Sequence, residues 1–226
     1  MTDARRLIRD HKAKTGEALS FTAFIISCLG QAVDANKHMQ AYRTWREKLV
    51  LFHDVDVNTM FEVEVDGRKI IRPHILRAVN RKTLREIHEE LRAFQAEHEN
   101  GREASFIGWF VLLPAFIRRL FLGALFKNPH WLKEMNGTVS LTSVGMFGDG
   151  GGWGIPVPIH TLQITLGGIA KKPMLVNGQL ENREYLCVTI SLDHDIVDGA
   201  PAARFIQRLK ELVESGHQIS DFIEKA

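Results

Sequence analysis

Apolar residues along this chain change their period several times, and each change marks an element. Phe21 to Val33 is apolar nearly all round, which predicts a largely buried helix with Ser20 as its N-cap. Upstream, Thr2 to Lys14 is charged and helix-compatible, with Leu7 and Ile8 as its only large apolar residues, and Gly16 is placed to end it. From Lys48 the period shortens. Leu49 to Phe52, and then Val55, Val57, Met60, Phe61, Val63 and Val65, read as strands with partial alternation. Asp66-Gly67 is a hairpin turn signal, and Lys69-Ile70-Ile71 is the return strand. Helical spacing returns at Leu84, Ile87, Leu91 and Phe94, with Glu86, Glu89, Glu90 and Arg92 outward. Thr83 and Glu86 have the spacing of a capping box, and Asn100-Gly101 closes the helix.

After Asn128-Pro129 strand patterning resumes. Gly137 to Val144 alternates small hydroxyl residues with apolar ones, and Gly145 to Gly154 reads as a loop. That loop lacks the spacing of a dinucleotide fingerprint and the Lys-Ser/Thr ending of a phosphate loop, so its glycines are expected to allow sharp turns or a ligand's close approach. Leu162 to Leu166 and Leu175-Val176 are strands, and Asn177-Gly178 is a hairpin turn leading toward the strand Tyr185 to Ile190. The last helix begins near Ala200, tolerates Pro201 in its first turn, and carries Phe205, Ile206, Leu209, Leu212 and Val213 on one face. With no internal repeat and no Pro- or Ser-rich linker, the whole of 1–226 is expected to form one α+β domain with a mixed sheet, residues 1–18 being an N-terminal helical segment.

Phe106 to Phe126 breaks the pattern. Its apolar run before Arg118-Arg119 is shorter than the roughly 20 residues a bilayer crossing needs, and two adjacent arginines inside a span are costly. A buried or subunit-interface helix kinked at Pro114 is the leading reading. The alternative is a membrane-surface helix with Arg118 and Arg119 at the headgroups. Membrane contact is not expected.

Composition narrows the class without naming a function. With 45% hydrophobic and 25% charged residues the chain has the make-up of a soluble globular protein, and a formal net charge of +2 gives no footing for nucleic acid. Cys28 and Cys187 lie far apart in apolar surroundings, which predicts two buried thiols, not a disulfide or metal site. Met1 to Arg6 lacks the apolar core of a signal peptide, so a cytoplasmic location is the expectation.

One stretch carries candidate chemistry. Ser191-Leu192-Asp193-His194-Asp195-Ile196-Val197-Asp198-Gly199 joins the last strand to the last helix. A histidine held at such a junction, with an Asp four residues on, is a plausible site of proton transfer, because imidazole titrates near neutrality. A solvated histidine in a charged turn is an equal alternative at this point.

The run from Asp193 to Phe205 resembles the signature of the catalytic domain of the dihydrolipoamide acyltransferase component of 2-oxoacid dehydrogenase complexes. The shorter His-x-x-x-Asp-Gly core is shared with chloramphenicol acetyltransferase. Leu19 to Ile25, His53 to Asn58 with Asp66-Gly67, and Gly137 to Gly148 are similar in the same order. The resemblance implies a chloramphenicol acetyltransferase-like mixed sheet flanked by helices, and coenzyme A as acyl-carrying substrate. It makes His194 the general base for a thiol, and Thr142, with Ser143 as runner-up, the hydroxyl that donates to the tetrahedral oxyanion. Asp198 becomes the motif aspartate that supports the site. The family's site lies between subunits of a trimer, which implies a homotrimer, or a multiple of trimers, with Thr142 and His194 from neighbouring chains. Neither a lipoyl domain nor a peripheral-subunit-binding domain is legible in 1–226, so the dihydrolipoyl thiol is expected in trans from a lipoyl-bearing partner among the dehydrogenase components. No metal is expected. Asp195 stands where an Arg commonly follows the histidine, replacing a base by an acid. The alternatives are a stand-alone CoA-dependent acyltransferase acting on a small hydroxyl or amine, and a non-catalytic assembly or membrane-associated scaffold of the same fold.

Overall fold

Five strands form the sheet on which the rest of the chain is built, in the order β4-β3-β5-β6-β7. The computed structural model describes residues 1–65, 68–99, 112–145 and 150–224. The strands are β3 (Val57–Val65), β4 (Arg68–Leu76), β5 (Val139–Ser143), β6 (Leu162–Val176) and β7 (Gln179–Leu192). β3 pairs antiparallel with β4, β5 runs parallel to both β3 and β6, and β6 pairs antiparallel with β7. The sheet is therefore mixed, as expected. A separate two-stranded ladder, β1 (Tyr42–Arg43) with β2 (Leu49–Val50), is all that forms from the apolar run expected to be a longer strand up to Phe52. The Asp66-Gly67 turn lies outside the described residues, although Val65 and Arg68 pair on either side of it. Asn177 and Gly178 both have positive φ, as a two-residue hairpin turn needs.

The helices cover one face. Described helices are α1 (Thr2–Thr15), α2 (Phe21–Asp34), α3 (Leu84–Glu99), α4 (Ala115–Lys127), α5 (Pro129–Asn136), α6 (Gly199–Ser215) and α7 (Ile219–Glu224). The hydroxyl of Ser20 accepts from the Ala23 N–H at 3.3 Å and starts α2, while Thr83 and Glu86 close the predicted capping box at 2.7 and 3.3 Å. Gly16, left-handed at φ 77, ends α1. Phe24, Ile26 and Leu29 of α2, Leu84, Ile87 and Leu91 of α3, and Phe205, Leu209 and Leu212 of α6 bury against Val57, Leu141 and Ile164 of the sheet. Each such side chain contributes about 1.5–3 kcal/mol relative to exposure. Ile206, expected on the same face, is 42% exposed because it lies beside the stripe that Phe205, Leu209 and Leu212 form. Both cysteines are free and buried, and burial pushes the Cys28 thiol up to about 12.

The apolar stretch departs from two parts of its leading reading, burial within the chain and the kink at Pro114. Residues 106–111 lie outside the described part. Pro114 does not kink a helix but occupies the N-cap position of α4, where its missing N–H costs no hydrogen bond. Within the chain α4 is not buried: Phe116 is 70% and Leu120 is 74% exposed. No helix among the described residues is long and apolar enough to cross a membrane.

Candidate active site

The two faces of the sheet differ in chemistry, and this follows from register. Paired residues share a face. One row across β3, β5, β6 and β7 reads Asn58, Ser140, Gln163, Ser191, and another reads Thr142, Thr165, Thr189. The row between them, Thr59, Leu141, Ile164, Ile190, points to the helices. Thr142 therefore belongs to a face lined with hydroxyls and amides, whereas Ser143 pairs with Leu166 on the apolar face. Both are half-buried. The Thr165 hydroxyl beside Thr142 is buried with no partner among the described residues.

The glycine-rich segment packs over this polar face. A Cβ on Gly154 would meet the Thr165 methyl at 2.6 Å, and one on Gly145 would meet the Gly167 carbonyl oxygen at 2.0 Å. The Gly168 N–H donates to Gly152 O at 2.9 Å, next to the register shift between Leu166 and Ile169. The close approach for which these glycines are needed is thus made by the chain's own β6, not by a ligand. Residues 146–149 of the segment lie outside the described part.

His194 sits at the other end of β6 and β7. Past Leu192 the Asp193 N–H donates to Thr161 O at 2.9 Å, and Asp193 O accepts from the N–H groups of Ile196 and Val197. The Asp193 carboxylate accepts from the Asp195 N–H at 3.0 Å, so the turn is fixed by its own side chain. Val197 is buried and anchors the far side. The result is an exposed imidazole on a rigid turn. Asp198 occupies the N-cap position of α6, but its exposed side chain makes no capping hydrogen bond.

His194 opens onto a cleft of about 450 Å³, whose walls include Tyr42, Arg43, His160 and Asp193. Tyr42 donates to Gly137 O at 2.7 Å, and the Thr161 hydroxyl donates to Ala41 O, so β1 is tied to the starts of β5 and β6. Burial pushes the Tyr42 phenol up, with Asp56 adding to the shift. The His160 Nε2 lies 2.8 Å from Asn136 O and donates to it, and Nδ1 is buried without a partner among the described residues. Burial lowers the His160 pKa against the opposing effect of that hydrogen bond, which favours the neutral ring. Arg43 lies 3.6 Å from Asp195, so the acid that stands beside the histidine has a guanidinium as neighbour. Tyr42, Arg43 and His160 carry no local signal of membership in the site. They reach it because β6 starts where β7 ends.

The structure does not bring Thr142 and His194 together in one chain. Thr142 is level with Thr189, two strands away, which is about 10 Å across the sheet. From Thr189 to Leu192 adds about 10 Å along β7, and His194 lies beyond. The two are thus separated by about 14 Å or more. Among the described residues no group of three or more His, Cys, Asp or Glu is placed to hold a metal.

Residues 128–220 match the family described as 2-oxoacid dehydrogenases acyltransferase (catalytic domain). A dihydrolipoyllysine-residue succinyltransferase component of the 2-oxoglutarate dehydrogenase complex from Saccharomyces cerevisiae is 33% identical over 84 residues, 37% of this chain and 18% of that protein. The chain spans less than half the length of the curated relatives it matches. Among solved structures, a probable dihydrolipoamide acetyltransferase from Listeria monocytogenes superposes with a TM-score of 0.69 at 19% identity, covering 95% of this chain and 80% of that one. A dihydrolipoamide acetyltransferase from Azotobacter vinelandii gives 0.67 at 18% identity, covering 96% and 79%. At these identities the structures establish the fold, and the α+β mixed sheet flanked by helices agrees with that expected from the sequence.

Proposed function

We propose, for a chain whose residues 128–220 match the catalytic-domain family of the 2-oxoacid dehydrogenase acyltransferases, that it transfers an acyl group between coenzyme A and a dihydrolipoyl thiol supplied in trans. His194 is the general base. Its imidazole takes the proton of the attacking thiol, and the thiolate adds to the thioester carbonyl carbon. The oxyanion of the tetrahedral adduct accepts a hydrogen bond from the Thr142 hydroxyl of a neighbouring chain. Collapse breaks the original C–S bond, and the departing thiolate recovers the proton from His194. A free thiol is mostly protonated at neutral pH, so the base raises the thiolate supply. A positioned donor on the oxyanion is worth about 3 kcal/mol.

The observation that carries this reading is the fixed, exposed turn that presents His194 to the cleft, within the segment that matches the family. The separation of Thr142 from His194 supports a site completed between chains of a homotrimer. In the Azotobacter vinelandii protein a serine, a histidine and an asparagine have roles in the catalytic mechanism, the last two four positions apart. That is the spacing of His194 and Asp198 here. We assign Asp198 to support of the site and not to proton transfer. Thr142, on the hydroxyl face, is preferred over Ser143.

The test is release of free coenzyme A from acyl-CoA on addition of dihydrolipoamide. His194→Ala is expected to lower kcat by about 10²–10⁴ with the fold intact. Turnover that the substitution leaves untouched would overturn the assignment.

A further inference from the structure

We propose that α4 and the rim beside it form a docking surface for an anionic lipid bilayer, on which the protein lies without crossing it. Among the described side chains of α4, Leu125 alone is buried. Phe116 and Leu120 lie one turn apart on the same ridge, Lys127 is near its far end, and Leu112, just before the helix, is 82% exposed. Water is a poor partner for such a ridge, and clustered exposed apolar side chains mark an interaction surface.

Charge decides what covers it. From Ala104 to Lys133 the chain contains no Asp or Glu, while Arg118, Arg119 and Lys127 are cations; Lys133 pairs with Asp56 at 3.5 Å. Beside the C-terminal end of α4 an open cleft of about 750 Å³ is lined by Trp45, Arg46, Lys48, Lys127 and Trp131, with no acid among its walls. Both tryptophans are exposed, and the Arg46 guanidinium lies 4.5 Å from the centre of the Trp45 ring. Tryptophan with Lys and Arg around an apolar ridge is the composition of the headgroup level of a bilayer. A two-fold contact with a second copy would set this cationic patch against itself, whereas anionic headgroups complement it. The sequence alone ranks a buried or subunit-interface helix ahead of a membrane-surface one. The exposure of Phe116 and Leu120 removes burial within the chain, and the cationic rim favours a bilayer over a contact between copies. The segment that matches the catalytic family begins at residue 128, directly after α4.

The experiment is co-sedimentation of the full chain with vesicles of phosphatidylcholine, alone or mixed with phosphatidylglycerol, alongside light scattering for the mass in solution. Wild type is expected to sediment with the mixed vesicles, to stay in solution with phosphatidylcholine alone, and to be released by salt. Arg118→Gln with Arg119→Gln is expected to weaken partition by about tenfold or more. Phe116→Ser with Leu120→Ser is expected to abolish it without changing the mass or the thermal transition. Wild type that ignores both vesicles, partition indifferent to the arginines and to salt, or a drop in mass on replacing Phe116 and Leu120 would each overturn the proposal, the last by assigning the ridge to a contact between copies. Should the apolar double variant fail to fold, the arginine variant and the salt dependence still decide the matter.

Discussion

Thr142 lies opposite Thr165 in the parallel pair of β5 and β6, while its neighbour Ser143 lies opposite Leu166. One residue along a strand reverses the face, so the two candidate hydroxyls cannot serve the same site. Thr142→Val is therefore expected to lower kcat by about 10²–10³. Ser143→Ala should leave it within a few-fold. Steady-state rates of acyl transfer to dihydrolipoamide check this, and a larger effect at Ser143 would exchange the roles.

The distance between Thr142 and His194 makes a second prediction. Each single variant, Thr142→Val or His194→Ala, lacks one half of a site shared between chains. Refolding the two inactive proteins together should restore activity, to about one quarter of the wild-type sites when the chains mix at random in a closed ring. Mixtures that stay as inactive as their components would show that both groups act within one chain.

Arg43 and Asp195 are both exposed, so their pairing contributes little to stability. Its consequence is expected in substrate choice. Asp195→Asn frees the guanidinium beside the cleft and should raise kcat/KM for succinyl-CoA relative to acetyl-CoA, with Tm nearly unchanged. Arg43→Gln should move the ratio the other way. A ratio that neither substitution alters would remove Arg43 from the specificity of the site.

Acid should destabilise the fold through its buried histidines. The Ser20 N–H at the start of α2 donates to His88 Nδ1 at 3.1 Å, which requires that nitrogen unprotonated. Burial lowers the His88 pKa, with Arg92 adding to the shift, and burial likewise lowers those of His160 and His217. A histidine depressed in the folded state is held neutral there, so below the unfolded value near 6.5 the unfolded chain takes up protons that the native chain does not. This stability is fully present above about pH 6.5 and is lost as the pH falls through the folded values. Tm should fall from about pH 6.5 downward, and His88→Gln should flatten part of the slope. A Tm independent of pH over that range would contradict the account.

Gly145, beside the bulge of β6, and Gly123, in α4, differ in what stands next to them. Gly145→Ala would bring a Cβ against the Gly167 carbonyl and is expected to cost about 3 kcal/mol or more. Gly123→Ala, in α4 with nothing within 4 Å, should stabilise by about 1 kcal/mol. Denaturant unfolding of both variants checks the contrast.

Much of the fold is legible in local pattern. Ser20, Thr83 with Glu86, Gly16 and Asn177-Gly178 act within a few residues of themselves, so their capping and turning chemistry is read directly from the chain. β4 runs on to Leu76 through Pro73 because it is an edge strand, where a missing N–H can face away from the sheet. That continuation has no periodic signal. Nor does α7, whose six residues are too few for one.

Short-range spacing and turn chemistry are enough to specify the strand-to-helix junction that holds His194 and Asp198, the hydroxyl-rich strand that holds Thr142, and the mixed α+β class. Which strand neighbours which is settled by long-range pairing. That in turn placed Thr142 and Ser143 on opposite faces, set His194 far from Thr142, brought His160 and Arg43 to the same cleft, and left α4 in solvent. Such relations arise from pairing and packing between residues up to about 150 positions apart, and no local period encodes them.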